Sequence, residues 1–213
     1  MAIDTFAKLK AEVSAYLNRS DISDAQIENF ISLAEASFDR VIRVRDQIKR
    51  STASISTQYI GLPSDLLELF NIQLNTNPVT GLEQVSLSYA DQVKPTLPST
   101  GKPRYYTISG EQIEFLPTPD ATYEIEIVYY AQISRLSSDN TASWVLSTHP
   151  DLYLMATLSQ AEPFLMNDER IGVWNSFLEK GLEELRLADE KAQTNTGTIM
   201  MRPTKPLDDG DWF

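Results

Sequence analysis

Apolar residues recur every three or four positions through the first fifty residues, and this spacing predicts two helices. The first helix presents one apolar face and ends near Asn18. That face consists of Phe6, Leu9, Val13, Tyr16 and Leu17. The second helix begins at Ser23, where Gln26 completes the pattern of a capping box, and its apolar face continues to about Lys49. A helix of roughly 26 residues, or about 39 Å, is long enough to form the spine of a bundle.

From Ser51 onward the helical spacing gives way to short alternating runs separated by turn residues, which predicts strands. Strands are predicted at residues 54–60, 69–74, 104–108, 112–116 and 122–133. Gly110 lies between the third and fourth of these and tolerates the positive φ of a hairpin turn. Residues 62–65 predict a turn into a short helical segment, and residues 75–103 are rich in turn residues. Residues 51 to about 136 are therefore predicted to form an antiparallel β domain.

Helical spacing returns near Thr148. Thr148 and Asp151 are candidate caps, and Pro150 fits the first turn of a third helix. This helix is predicted to end near Met166, and a fourth helix begins after Asn167, a favourable capping residue. Both helices carry an apolar face that needs a partner.

The order of elements is two helices, a β domain, two helices and a tail, which predicts an α+β fold. Neither helix pair can bury its apolar face alone, so residues 1–50 and 149–193 are predicted to pack into one helical bundle. The antiparallel β domain, residues 51–148, is inserted between them. The extended C-terminal tail, residues 194–213, has no periodic pattern but carries large apolar residues that are typical of a docking segment. These residues are Ile199, Met200, Met201, Trp212 and Phe213.

Composition excludes several classes of chemistry. The 213 residues contain no Cys and one His, which leaves no thiolate nucleophile, Fe–S cluster, thiolate zinc site or multi-histidine metal site. We therefore expect no cofactor and no bound metal. Charged residues from Asp4 to Glu12 interrupt the N-terminus, and no run approaches the roughly 20 apolar residues of a membrane span. We expect a protein that is made in the cytoplasm and has no membrane partner.

The charge balance disfavours a protein that reads nucleic-acid sequence. Lys and Arg number 18 and Asp and Glu number 30, giving a formal net charge of −12 that repels phosphate backbones. The basic residues nevertheless cluster at the predicted end of the second helix. This cluster is Arg40, Arg43, Arg45, Lys49 and Arg50. Such cations either stabilise a helix C-terminus through its dipole or meet acidic surface on a neighbouring subunit or partner.

Common catalytic motifs are missing from the sequence. It contains no Gly-x-Ser-x-Gly, Walker A, Gly-x-Gly-x-x-Gly or His-Glu-x-x-His pattern, and a Ser-His-Asp triad would have to use His149. Carboxylate pairs occur at 183–184, 189–190 and 208–209, as a glycosidase requires. The first two pairs fit the solvated face of the fourth helix better. We expect a protein that is not an enzyme.

Tyrosine pairs leave one alternative open. Residues 105–106 and 129–130 are adjacent tyrosines on predicted strands. Aromatic residues on alternating faces usually pack a sheet, but they also suit a carbohydrate platform. A tail component with glycan-binding or hydrolase activity therefore stays as the alternative to a purely structural protein.

A series of short motifs follows a characteristic order along residues 10–190. In the second helix the motifs are Phe30-Ile31-x-Leu33-Ala34-Glu35, Arg40 and Arg43. In the β region they are Leu62-Pro63-Ser64-Asp65-Leu66-Leu67-Glu68, Gly101-x-Pro103, Tyr106 and Tyr129-Tyr130. In the C-terminal helices they are Pro150-Asp151-Leu152-Tyr153-Leu154, Leu158-x-x-Ala161 and Trp174. The order of these motifs resembles that of the head-to-tail adaptor (connector) proteins of tailed bacteriophages.

The resemblance implies a non-enzymatic virion protein of the neck region, which joins the portal protein as a further homo-oligomeric ring. The family implies a dodecamer that gives downstream tail or nozzle proteins a docking surface and lets DNA pass through its lumen during ejection. An acidic chain suits passage of DNA without sequence-specific binding. The basic cluster and the apolar residues of the tail are the candidate subunit or portal interfaces. Within the phage interpretation, a tail-tube or head-completion protein is the nearer competitor.

Overall fold

The computed structural model describes residues 3–19, 21–165 and 168–193. Its helices are α1 (Phe6–Leu17), α2 (Asp24–Val41), α3 (Leu87–Val93), α4 (Trp144–Thr148), α5 (Pro150–Phe164) and α6 (Asp168–Gln193). Its strands are β1 (Ile48–Ile55), β2 (Tyr59–Gly61), β3 (Leu66–Leu74), β4 (Thr80–Gly81), β5 (Glu83–Gln84), β6 (Tyr105–Ser109), β7 (Gln112–Leu116) and β8 (Tyr123–Ala131). The predicted α+β class is confirmed.

Helices from both ends of the chain bury one apolar core, so the predicted bundle of N- and C-terminal helix pairs is confirmed. α5 lies at its centre and contacts α1, α2, α4 and α6, which explains why α5 is buried on most of its sides. Phe38 of α2 meets Tyr153 of α5 edge to face, with ring centroids 5.2 Å apart. Tyr16 of α1 and Trp174 of α6 meet in the same way at 6.1 Å.

The start of α2 is as predicted, but its end is not. The capping box at Ser23 is present. The helix stops at Val41, well before the predicted end near Lys49. Three of the four residues 41–44 are β-branched and favour extended backbone, and the chain from Ile48 onward pairs with β8. Pairing across a sheet therefore prevails over the helical spacing.

Two four-stranded sheets enclose a second apolar core. One has the order β1-β8-β3-β4 and is antiparallel throughout. The other has the order β2-β7-β6-β5, in which β5 runs parallel to β6. Ile125, Ile127 and Tyr129 of β8 face the core, as their alternation predicts. The predicted hairpin is formed by β6 and β7, and Gly110 adopts a φ of 61° in its turn.

Three local predictions are corrected by the structure. Residues 62–65 lead directly into β3 and not into a helical segment. The stretch predicted to be turns contains α3, whose N-cap is Ser86. A short helix, α4, begins after Ser143 and precedes α5. Thr148 therefore ends α4 and does not cap α5, and its hydroxyl donates to the Trp144 carbonyl.

The third and fourth predicted helices correspond to α5 and α6. α5 begins at Pro150, as predicted. α6 is 26 residues long and ends at Gln193. Its predicted cap, Asn167, lies outside the described residues, as does the whole tail, residues 194–213.

Candidate interaction surface

The five basic residues predicted to crowd one helix end are separated by the early end of α2. Arg40 remains in the last turn of the helix, and Arg43 follows it. Arg45 lies in a 3-10 turn, whereas Lys49 and Arg50 lie on β1. The interpretation of all five as cations at one helix C-terminus is therefore wrong.

Arg43 stabilises the end of α2 directly. Its Nη1 donates to the carbonyls of Asp39 at 2.8 Å and Ile42 at 2.6 Å, which are among the acceptors left open at a helix C-terminus. Its Nε lies 3.3 Å from Glu68 Oε2 of β3. Arg43 thus ties the helix end to the sheet.

The other three displaced cations also have partners within the chain. Arg45 Nε lies 2.9 Å from Asp189 Oδ1 of α6. Lys49 Nζ lies 2.6 Å from Asp65 Oδ2, and Arg50 Nη1 lies 3.4 Å from Glu126 Oε1. Although burial acts in the opposite direction, hydrogen bonds from Lys49 and Tyr129 hold the pKa of Asp65 below its ordinary value. These pairs lie partly in solvent, so each adds little to stability.

Arg40 differs from the rest of the cluster. It is exposed, and within the described part of the chain no carboxylate lies close enough to form an ion pair with it. Its neighbour Val41 is 62% exposed, a high value for a valine. Arg40 and Val41 therefore present a positive charge and an apolar side chain to solvent together.

Beside them, a groove of about 330 Å³ separates the chain after α2 from the middle of α6. Its apolar lining comes from Val41, Ile42, Val44, Leu182 and Leu185. Its charged lining comes from Arg43, Glu179, Glu183 and Arg186. A groove that combines apolar side chains with charged side chains of both signs is typical of a protein-binding surface. It fits a partner side chain better than a reacting small molecule.

α6 carries a second apolar face, directed away from the core. Val173, Phe177 and Leu187 are all exposed and recur at helical spacing. On the sheet side, Phe70 is 67% exposed because the register of β3 shifts between Leu69 and Asn71, which sets Phe70 out of the ladder. Both the helical core and the sheets therefore leave large apolar side chains uncovered.

A buried polar cluster joins α2 and α5 to the segment that follows β8. Glu35 and Asp39 of α2 are buried, and Arg135 reaches both, with 2.7 Å from its Nη2 to Asp39 Oδ2 and 3.7 Å from its Nη1 to Glu35 Oε2. Glu35 also accepts from the Leu136 N–H at 2.7 Å and the Tyr153 hydroxyl at 3.0 Å. The cluster fixes the segment that leaves β8 against α2.

Burial is the main influence on the pKa values of Glu35 and Tyr153. It raises the pKa of Glu35, although the hydrogen bonds from Leu136 and Tyr153 and the charge of Arg135 act against it. Burial also raises the pKa of Tyr153, which therefore remains a hydroxyl donor at neutral pH. Fully partnered carboxylates of this kind are structural and show no free group for acid–base chemistry.

The residues considered for catalysis or sugar binding do not converge. His149 lies between α4 and α5, while the pairs 183–184 and 189–190 lie on α6. Each tyrosine pair places one ring, Tyr106 or Tyr129, in the β core. In the ranges that the structure describes, no group of three metal-ligating side chains occurs and no helix is long and apolar enough to cross a membrane. The pair 208–209 lies outside those ranges.

The apolar residues of the tail cannot be placed on this surface. Ile199, Met200, Met201, Trp212 and Phe213 lie outside the described residues. Their role as an interface stays a prediction.

The chain matches a known protein family. Residues 4–202 match the family model described as SU10 adaptor protein. The matched range covers both helix pairs and both sheets. No curated protein matches the chain.

Proposed function

Because the chain belongs to the SU10 adaptor protein family, we propose that this phage structural adaptor forms a ring below the portal and links the capsid to the tail. The family match over residues 4–202 is the observation that carries the proposal. The ring is a homo-oligomer, expected to be a dodecamer, in the neck of the virion. Its lower face receives tail or nozzle proteins.

A closed ring needs two different surfaces on each subunit, one for each neighbour. The chain offers several surfaces of the required kind. The groove beside Arg40 and Val41 combines apolar and charged side chains. The outward face of α6 and the exposed Phe70 on β3 add apolar area in other parts of the molecule. Patches of this type on a soluble subunit support a role in assembly.

The net charge of −12 supports passage of DNA through the ring. Binding to DNA strengthens with each phosphate that a cation neutralises. In the described residues most cations of the basic cluster already contact carboxylates of the same chain. A channel lined by such subunits would let the double helix slide without adhering.

The proposal is tested by co-sedimentation with the portal ring encoded by the same genome. We expect full-length protein to sediment with the portal at saturating stoichiometry and a version ending at Gln193 to bind more weakly. Absence of binding by full-length protein would contradict the assignment to the portal. Calorimetry with host-surface glycans serves as the control, because an adaptor should give no saturable heat.

A further inference from the structure

Four strands form the edges of the two sheets, and three of them are very short. β4 and β5 have two residues each and β2 has three. β1 is different, since it has eight residues and pairs only with β8. At the beginning of β1 the Ile48 N–H donates to the Arg45 carbonyl of the preceding turn. Beyond that residue, the side of β1 that faces away from β8 makes no backbone hydrogen bond to any described residue. It is therefore the one long free edge in the described residues.

Proteins usually protect such an edge with a bulge, a proline or charges. β1 pairs with β8 in unbroken register from Ile48 to Ile55, so it has no bulge. It contains no proline, and its charges, Lys49 and Arg50, lie at its beginning. The last five residues of the strand, 51–55, are uncharged and suited to pairing. An edge left open in this way is a template for another strand.

The chain itself contains a segment suited to this edge. Residues 198–202 read Thr-Ile-Met-Met-Arg and are bounded by Gly197 and Pro203, which is the pattern of a short strand. The acidic run Asp208-Asp209-Gly210-Asp211 follows it. Residues 194–197 connect this segment to Gln193, where α6 ends, four residues after Asp189.

We propose that residues 198–202 of one copy add as an antiparallel strand to the free edge of β1 in the neighbouring copy. This inference rests on the proposed ring. Charge selects the direction of the added strand. An antiparallel strand carries the acidic run toward Lys49, Arg50 and the basic residues that precede them. A parallel strand would carry it toward the Ile55 end, where Glu124 pairs with Ser54.

Distance selects the neighbouring copy. Asp189 Oδ1 accepts from the backbone N–H of Arg45 at 3.2 Å, so the end of α6 lies close to the beginning of β1 in the same copy. An antiparallel strand must begin near Ile55, at the far end of β1. Residues 194–198 span about 17 Å when fully extended. β1 is about 26 Å long. The tail of the same copy is therefore too short to reach Ile55 and begin an antiparallel strand there.

Cysteine cross-linking tests the inference, because the natural chain has no cysteine. Ser54→Cys and Met200→Cys proteins are mixed, assembled on the portal ring and treated with a short bismaleimide, and the product is identified by mass spectrometry. We expect a covalent dimer that joins positions 54 and 200 of two different chains. Thr80→Cys, on the opposite edge strand β4, is the matched control and should give no such dimer with Met200→Cys.

Each other result overturns the inference and identifies what replaces it. A protein that carries both Ser54→Cys and Met200→Cys tests the same chain, and a link formed only within that chain would show that the tail covers its own β1. A dimer of Ser54→Cys with itself would show that two β1 edges pair. Rings that form normally without any link to position 54 would reject the added strand and leave the adaptor function intact. If no ring forms on the portal, the proposed function fails as well.

Discussion

Tyr153 donates its hydroxyl hydrogen bond to Glu35 Oε1 at 3.0 Å, and both side chains are buried in the helical core. Glu35 Oε1 also accepts from the Leu136 N–H, and Glu35 Oε2 faces Arg135. This contact joins α5 and α2 to the segment that leaves the sheets. A buried carboxylate is tolerated here because each of its oxygens faces a donor.

Tyr153→Phe removes one donor from this carboxylate without changing the ring that packs on Phe38. We expect the free energy of unfolding to fall by about 1–3 kcal/mol, because a buried charged acceptor loses a hydrogen bond. Urea denaturation measures the change. Tyr89→Phe, at an exposed position, is the control and should leave stability within about 0.5 kcal/mol of the natural protein. Equal effects of the two substitutions would show that the Glu35 contact contributes nothing.

Glu35 also predicts a pH dependence of stability. Its ordinary pKa is 4.5, and burial raises the pKa in the folded protein. Well below pH 4.5 the Glu35 carboxyl is protonated in both the folded and the unfolded protein. Between pH 4.5 and the raised pKa of the folded protein, the carboxyl ionises in the unfolded chain while the folded protein still holds the proton. The contribution of Glu35 to the free energy of unfolding must therefore fall as pH rises from 4.5 through the raised folded value.

Glu35→Gln removes this ionisation. We expect the stability of the variant minus that of the natural protein to increase with pH across that window. Urea denaturation of both proteins between about pH 4 and pH 8 measures the difference. Any constant effect of the amide cancels in the comparison between pH values. A difference that does not change with pH would contradict burial as the dominant influence on this carboxyl.

Two glycines of α6 give opposite predictions for the same substitution. A methyl group on Gly181 would overlap Leu152 Cδ2, and Leu152 is buried at the centre of the bundle. Gly181→Ala should therefore lower stability by about 1–3 kcal/mol. At Gly172 no atom lies within 4 Å of the added methyl, so Gly172→Ala should raise stability by about 0.5–1 kcal/mol through helix propensity. Thermal unfolding of both variants tests the packing of α6 on α5; a stabilised Gly181→Ala would show that packing to be loose.

Arg40 and Arg43 are predicted to have different roles although three positions separate them. Arg43→Met should lower stability by about 1–2 kcal/mol, because it leaves the carbonyls at the end of α2 without a donor. Arg40→Met should change stability by less than about 0.5 kcal/mol, since the side chain is exposed. Binding to the portal should show the reverse order, with Arg40→Met weakening it. An Arg40→Met protein that binds normally at all salt concentrations would remove Arg40 from the interface.

Elements that depend on local signals were predictable from the sequence. The capping box at Ser23 and the turn at Gly110 need only their immediate neighbours, and both are present. The alternation along β8 also identified its buried face. The end of α2 was missed because it depends on the pairing of β1 with β8, in which Ile48 lies opposite the distant Tyr130. No local window contains that information.

The candidate site was less predictable than the fold. The sequence grouped the five basic residues, but their roles depend on partners such as Asp189 and Glu126, which lie far along the chain. The buried cluster around Glu35 was missed. A signal existed, since Glu35 and Asp39 flank apolar positions on the buried side of α2. The spacing of residues along the sequence does not distinguish buried acids from solvated ones. The two acids can be recognised as buried only once the fold places Arg135 beside both of them.

Electron cryomicroscopy of full-length protein mixed with the portal ring is the decisive experiment for the proposed adaptor ring. We expect a second ring stacked below the portal, continuous with its channel, with the groove beside Arg40 or the free edge of β1 covered at subunit contacts. A portal ring that remains bare at saturating protein concentration would rule out this arrangement. So would density for this protein at any site that does not surround the channel.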